Sequence, residues 1–468
     1  MEIKELFEKQ GAKRQALKLS TAKDRLAKVK KMEKYISDPD NIEKVQRAIY
    51  ADFKKPPTEV LLSELGVLHA QISYIKTNLS YWMMDKPVDT PLLLTGTSSH
   101  IKYEPKGRIL ILAPWNYPFN LSLIPALYAM VAGNTVILKP SELTPNTSAL
   151  IQEMITELYD EEEFVVVQGD AKVAQSLLEL PFDHIFFTGS PQIGKLVMSA
   201  AAKHLTSVTL ELGGKSPAIV DEKVNLKDAA EKLIWAKCLN SGQTCIAPDY
   251  AIVHEKNRTE LVNKMKGLIQ EYYNDQGNGI ESSKDYARIV NARHLNRIEA
   301  LIKDAVSKGA SLECGGVVNK EDNFMEPTIL TGVTEDMHIM EEEIFGPVLP
   351  VLSFKEKEEV VAIINKRPKP LSMYIASNSS KNINYYIENT SSGGTVINDY
   401  MLGYSNPNLP FGGVNNSGIG KSLGYHSFVG FSNERGVLRR SFVRLKPFMY
   451  PPYSKWVQRI VKLIYKYM

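Results

Sequence analysis

Cys245 closes the segment SGQTC, a polar turn after the apolar run LIWAKCL. A thiol at a helix–loop junction is placed to be reached by a substrate and to act as a nucleophile. A second reading stands beside this one, because free cysteines commonly pack as small hydrophobes; Cys238, inside the run, is read that way. Glu211 ends the β-rich stretch VTLEL, with two glycines beyond it. A carboxylate there is either a solvated strand end or, beside a nucleophile in a dry crevice, a general base with a raised pKa. Asn116 stands between Trp115 and Tyr117 in the loop PWNYP. Its amide either holds the loop or offers a neutral donor to an oxyanion.

HIFFTGSPQIGKLV reads as a strand, a tight turn and a helix start, with Gly189 and Gly194. Unpaired amides at the positive end of a helix suit a phosphate; an ordinary glycine turn fits equally well. The spacing is not G-x-G-x-x-G, so the dinucleotide fingerprint fails as written. ELGGKSP resembles the end of a P-loop, but Thr209 occupies the position where that motif needs glycine, which rejects an NTPase. Cys238 and Cys245 have no CxxC or HxxxH partner and the eight histidines are scattered, so no metal site is expected.

The elements that must carry these groups are legible from periodicity. Residues 1 to about 80 repeat apolar positions at helical spacing. From residue 108, the runs RILILA, TVILK, FVVVQ, HIFF and VTLEL alternate with helical stretches at 122–132, 144–159, 171–178 and 191–204. Strands separated by helices imply right-handed crossovers and a parallel sheet covered on both faces. Ligands bind such sheets beyond the carboxyl ends of the strands. A second unit runs from Gly213-Gly214 to about Val396, with strands PAIV, YAIVH and VLPVLSF and helices at 226–239, 257–273 and 292–307. The expected fold is α/β, with two interlocked lobes.

The chain has 468 residues, 44% hydrophobic and 23% charged, which is the composition of a globular protein and excludes disorder and a membrane transporter. Three cysteines give no disulfide framework, and the acidic N-terminus MEIKELFEKQ does not read as a secretory signal, so a reducing, cytoplasmic setting is expected. Residues 109–138 carry no charge, but Pro114, Pro118 and Pro125 break the run into a buried strand, loop, helix and strand rather than a membrane span. The net charge of +3 argues against nucleic-acid binding over the whole surface. It is also uneven: residues 439–468 hold eight basic and no acidic residues, leaving −5 for residues 1–438. Lys455, Arg459, Lys462 and Lys466 recur at helical spacing beside Trp456, Ile460, Leu463, Ile464 and Tyr467. That basic amphipathic tail either packs on the body of the protein or a partner subunit, or lies on an anionic membrane surface.

Taken in order, APWNYP (113–118), AGNTVILKPSELTP (132–145), FDHIFFTGS (182–190), ELGGKSP (211–217), SGQTC (241–245), EEEIFGPVLP (341–350) and LPFGGVNNSGIGK (409–421) closely resemble the aldehyde dehydrogenase superfamily. The resemblance covers about residues 80 to 435. The compact length, the PWNYP loop and DYARIVNARHLNRI (285–298) are most similar to class 3 enzymes, which oxidise medium- or long-chain and aromatic aldehydes.

The resemblance implies a Rossmann-like parallel-sheet cofactor domain (1–81 and 106–212), an α/β catalytic domain (213–396), a bridging and oligomerisation β element (82–105 and 397–438) and the tail (439–468). It implies a homodimer using NAD, with NADP as the alternative. Cys245 would be the nucleophile, Asn116 and the Cys245 amide the oxyanion donors, and Glu211 the base that activates water. Lys139 and Glu142 would hold the adenosine ribose, Ser190 the pyrophosphate and Glu343 the nicotinamide ribose. Phe345 would pack near the ring, with Trp115, Thr188, Gly189, Gly194 and Gly213 completing the cofactor set. Asn415-Asn416, Val173-Ala174, Leu423 and Asn433 depart from the family pattern, none of them at a catalytic position. The rivals are a coenzyme A-dependent acylating enzyme, which usually lacks the Glu211 base, and a binding or structural protein that retains the fold.

Overall fold

The computed structural model describes residues 3–91, 94–440 and 450–467. The chain divides into two compact units, one of residues 1–82 with 105–433 and one of 83–104 with 434–468.

In the larger unit, the five expected strands and one unexpected short strand form a six-stranded sheet. Its order is Gly418–Ile419, Ser207–Leu212, His184–Gly189, Arg108–Leu112, Thr135–Lys139 and Phe164–Val166. All neighbours run parallel except the short Gly418–Ile419 strand. Strands covered on both faces read as continuous apolar runs, which is why RILIL and TVILK were legible. The register does the positioning. Leu112 pairs with both Lys139 and Phe187, and Thr188 pairs with Glu211. The loops after these strands therefore open at one edge of the sheet. Glu211 in turn pairs with Gly418, which brings the 418–423 segment alongside it.

The uncharged run 109–138 resolves into a strand, the buried helix Asn120–Val131 and a second strand, so its lack of charge reflects burial on all sides. The helices Ala22–Ser37 and Pro39–Phe53 begin at the caps Thr21 and Asp38. Helix Pro191–Ala202 ends two residues earlier than expected; the turn that follows puts Leu205 at φ +53°.

A second sheet, of seven strands, has the order Ser311–Cys314, Thr328–Thr331, Val348–Phe354, Tyr250–His254, Pro217–Val220, Ser372–Ala376 and Gly394–Ile397. Helices Leu226–Cys238 and Glu255–Tyr273 cover one face through Leu233, Ile234, Leu261 and Met265. Helix Ala292–Ser307 covers the other through Leu295, Ile298 and Ile302. Cys238 is buried in the first of these layers, as a small hydrophobe would be.

The smaller unit carries a sheet of Lys86–Val88, Thr97–Pro105 and Ser432–Arg440 and a helix, Lys455–Tyr467. On that helix Trp456, Leu463 and Ile464 are exposed and Val457 is buried. Of the expected tail, residues 441–449 and 468 lie outside the described residues. No helix among the described residues is long and apolar enough to cross a membrane.

Candidate active site

Cys245 and Glu211 line one cavity of about 320 Å³. The cavity walls also include Leu62, Val67, Tyr117, Ile124, Phe186, Thr188, Trp235, Ile246, Leu371, Met401, Tyr404, Phe411 and Ser422. Among the described lining residues Glu211 is the one carboxyl side chain, and no lysine or arginine lines the cavity beside it. A smaller cavity of about 220 Å³ shares Ile246, Leu371, Met401, Tyr404 and Phe411 with it.

The thiol is delivered by a constrained loop. After helix Leu226–Cys238, Asn240, Ser241 and Gly242 take left-handed φ of 55°, 51° and 70°. Gly242 has no alternative, because a Cβ there would lie 2.3 Å from the Gly346 carbonyl oxygen. The strain in Asn240 and Ser241 is held by hydrogen bonds. The Asn240 amide donates to Glu59 Oε2 at 3.0 Å, and Asn240 Nδ2 donates to the Asn116 carbonyl at 2.8 Å. Ser241 Oγ donates to the Ala287 carbonyl at 2.7 Å. Gln243 Nε2 donates to the Asn240 and Arg288 carbonyls, while its Oε1 accepts from the Val290 amide. Cys245 itself is half-buried. Burial pushes its thiol pKa up, with Glu343 and Glu211 adding to the rise, while the backbone amides of Cys245 and Ile246 favour the thiolate.

Asn116 is buried and donates through Nδ2 to the Gln243 carbonyl at 2.9 Å, so its amide faces the cysteine loop from outside the described cavity lining. Its neighbour Tyr117 does line the cavity and shares a 2.7 Å hydrogen bond with Thr244 Oγ1. Lys55 Nζ lies 3.8 Å from the centre of the Tyr117 ring. Lys55 is fully buried with Glu64 at 3.3 Å, and Glu64 Oε2 accepts from the Asn120 amide at 2.8 Å.

Glu211 is buried, and burial raises its pKa to about 8 against the opposing Ser422 hydrogen bond and Lys421 charge. Oε1 accepts from Ser422 Oγ at 2.6 Å, whereas Oε2 has no hydrogen-bond partner among the described residues.

The expected cofactor residues fall into two groups along the same sheet edge. Lys139 Nζ donates to Glu142 Oε2 at 2.8 Å and to the Pro140 carbonyl, and Ser190 caps helix Pro191–Ala202 by accepting from the Ile193 amide. Gly189 and Gly194 flank that cap. Nearer the thiol, a Cβ on Gly213 would lie 1.9 Å from Glu343 Oε2, so glycine is what admits the carboxyl. Burial raises Glu343 to about 8, with Asp249 adding to the rise. Phe345 meets Trp115 edge to face, with ring centroids 5.3 Å apart. The Glu343 loop is anchored by Lys215, which pairs with Asp249 and donates to the Ile339 and Glu342 carbonyls; Asp249 accepts from the Ile344 amide. A lysine beside a carboxylate, a helix N-terminus and a buried carboxyl at a glycine suit a ribose, a pyrophosphate and a second ribose, so the donor set fits a dinucleotide.

Sequence reasoning passed over Tyr117, Gln243, Lys215, Ser422 and Lys421. Tyr117 and Gln243 adjoin motif residues that were singled out. Ser422 carries no local signal, since its partner is 211 positions away.

A parallel-sheet cofactor fold, joined to a cavity with a thiol on one wall and a buried carboxyl on another, defines a cysteine-dependent dehydrogenase. The profile of the Aldehyde dehydrogenase family matches residues 1–437, and the chain belongs to that family. It is 41% identical to 4,4'-diaponeurosporen-aldehyde dehydrogenase of Staphylococcus aureus, over 96% of this chain and 95% of that enzyme. It is 39% identical to aldehyde dehydrogenase family 3 member B2 of Mus musculus, over 93% of this chain and 90% of that one. A solved structure of Staphylococcus aureus AldH in a substrate-bound state superposes with a TM-score of 0.94 at 40% identity, covering 99% of this chain and 100% of that one. The chain is therefore an NAD(P)-dependent oxidoreductase that oxidises aldehydes by the family's cysteine mechanism.

Proposed function

We propose that Cys245, Asn116 and Glu211 divide the oxidation of an apolar, medium- or long-chain or aromatic aldehyde into two steps at one cavity. The observation that carries this reading is that Cys245 and Glu211 line the same apolar chamber. Cys245 attacks the carbonyl carbon as thiolate, and the oxyanion is met by the Asn116 amide and the Cys245 backbone N–H, loss of one such donor typically costing about 2.7–4 kcal/mol. A dinucleotide held by the residues below would supply the hydride acceptor, and loss of the hydride leaves a thioester on Cys245. Glu211 then takes a proton from water as it attacks the thioester, the C–S bond breaks and the carboxylic acid leaves.

Lys139 and Glu142 hold the adenosine ribose, and Ser190 with the following helix start meets the pyrophosphate. Glu343 holds the second ribose beside Gly213, with Trp115 and Phe345 near the ring and Thr188, Gly189 and Gly194 shaping the turn. The Glu142 carboxylate opposes a 2′-phosphate by charge, which favours NAD. Residues 1–81 and 106–212 serve the cofactor, 213–396 the thiol, and 82–105 with 397–438 bridge two subunits of a homodimer. The exposed edge strand Gly394–Ile397 supports a subunit contact, since unpaired edges are normally covered.

The substrate class follows from charge. A carboxylated aldehyde would meet no cation among the described lining residues and would face Glu211. The test is a kcat/KM series on straight-chain aldehydes, benzaldehyde and succinate semialdehyde, with NADH formation read with and without coenzyme A. Rising values with chain length, indifferent to coenzyme A, support the reading; preference for the semialdehyde or a need for coenzyme A overturns it.

For location we propose a cytoplasmic enzyme whose C-terminal helix contacts an anionic membrane surface, the alternative being that the helix packs on the protein or a partner subunit. Exposed Trp456, Leu463 and Ile464, flanked by Lys455, Arg459, Lys462 and Lys466, support that placement. Sedimentation with phosphatidylglycerol vesicles should carry the full chain and leave a form ending at Leu438 in solution. Equal behaviour of the two would refute it.

A further inference from the structure

Glu211 has two carboxylate oxygens in unlike surroundings. Oε1 receives the Ser422 hydroxyl at 2.6 Å, and Oε2 is buried without a partner among the described residues. Ser422 is itself held firmly. Its backbone amide donates to the Phe411 carbonyl at 2.6 Å and its carbonyl accepts from the Phe411 amide at 3.0 Å, an antiparallel bridge closing the 411–422 loop. A serine has one hydroxyl proton to give. The alternative acceptor, the Phe411 carbonyl, lies at 3.4 Å, so the proton goes to Glu211. The pairing of Gly418 with Glu211 fixes the approach of the whole segment.

We propose that Ser422 is a positioning residue for Glu211: its hydroxyl engages Oε1, directs proton uptake to Oε2 and favours the ionised carboxylate that hydrolysis of the thioester needs. The proposal rests on the reading of Glu211 as the base that activates water. When water attacks, its proton is received at Oε2 while Oε1 keeps the serine bond. The thiolate leaves as the C–S bond breaks, and the proton on Oε2 passes on to solvent or to the departing sulfur.

Three other titratable groups face Glu211. Lys421, from the same loop, donates to the Gly412 carbonyl and, at 3.2 Å, to the Gly413 carbonyl, and its charge favours the ionised carboxylate. Burial raises the pKa of both Cys245 and Tyr404, and the Glu211 charge adds a smaller rise to each. Burial is the largest influence and raises Glu211 to about 8, while Ser422 and then Lys421 oppose it. A base must be ionised to work, so the hydrolytic step rises with pH through the Glu211 pKa. Removing the serine bond moves that rise to higher pH.

The experiment uses p-nitrophenyl acetate, which acylates the thiol directly by displacing p-nitrophenolate, so that decay of the acetyl-enzyme can be followed without dinucleotide. Its pH profile is measured for the wild type and for Ser422→Ala, Ser422→Thr and Glu211→Gln. A hydrogen bond to a charged group is worth about 1.5–3 kcal/mol. The Ser422→Ala midpoint should therefore rise by about one pH unit or more, slowing decay roughly tenfold near neutrality. Ser422→Thr, which keeps the hydroxyl, should restore the wild-type midpoint. An unmoved midpoint in Ser422→Ala, or equal profiles for the alanine and threonine variants, overturns the proposal. If Glu211→Gln keeps the pH-dependent rise, the underlying reading of Glu211 fails instead, which separates the two claims.

Discussion

The two walls of the cavity are built differently. On the thiol side, left-handed Asn240 is held by Glu59 and the Asn116 carbonyl and left-handed Ser241 by the Ala287 carbonyl, while the adjoining Gln243 is held by the Arg288 carbonyl and the Val290 amide. On the carboxyl side, Glu211 depends on one hydroxyl and one nearby ammonium. Many shared restraints fix where the sulfur sits, which is what attack on a carbonyl needs. Few restraints leave the carboxyl adjustable, and its ionisation is then set by whatever residues occupy positions 421 and 422. One wall fixes a place and the other sets a protonation state.

The contrast can be broken first at its centre. Cys245→Ser should lower aldehyde oxidation by on the order of 10³-fold or more, with dinucleotide affinity by calorimetry little changed; near-normal turnover would remove the thiol from the account. On the same wall, Gln243→Ala deletes three buried hydrogen bonds. It should destabilise the fold by roughly 2–4 kcal/mol, read as a lowered midpoint in denaturant, and lower kcat more than it raises KM. Unchanged stability would mean that the wall is less restrained than its bonds suggest. Tyr117→Phe removes the bond to Thr244 and nothing else polar, about 1 kcal/mol. Less than a tenfold change in kcat is expected because the other restraints remain. A larger fall would make Tyr117 a partner in the chemistry rather than a support.

How much of this was legible follows from the physics of each element. Strands buried on both faces, RILIL and TVILK, announce themselves as apolar runs, and the helices they alternate with have clear periodicity. The strands Ser311–Cys314 and Gly394–Ile397 did not, being edge strands of mixed burial, and neither did the buried Thr328–Thr331 and Ser372–Ala376, whose short runs include threonine or serine. Glu211, Cys245 and Asn116 could be singled out because each ends a recognisable run or occupies a distinctive loop. Asn415 departs from the family pattern yet keeps its turn at φ +56°, as asparagine's tolerance of that region allows. Ser422 stands outside every motif, and Lys215 lies inside ELGGKSP without its role being readable: each takes its meaning from a partner distant in sequence, and one sequence does not state what folding brings near.

The central claim is that one cavity hosts a thioester on Cys245 whose hydrolysis needs Glu211. Intact-protein mass spectrometry of Glu211→Gln, mixed with NAD and decanal, tests it directly. The account predicts a burst of NADH and one decanoyl group per subunit, mapped by proteolysis to Cys245. A burst with no adduct, or an adduct on another residue, would contradict it.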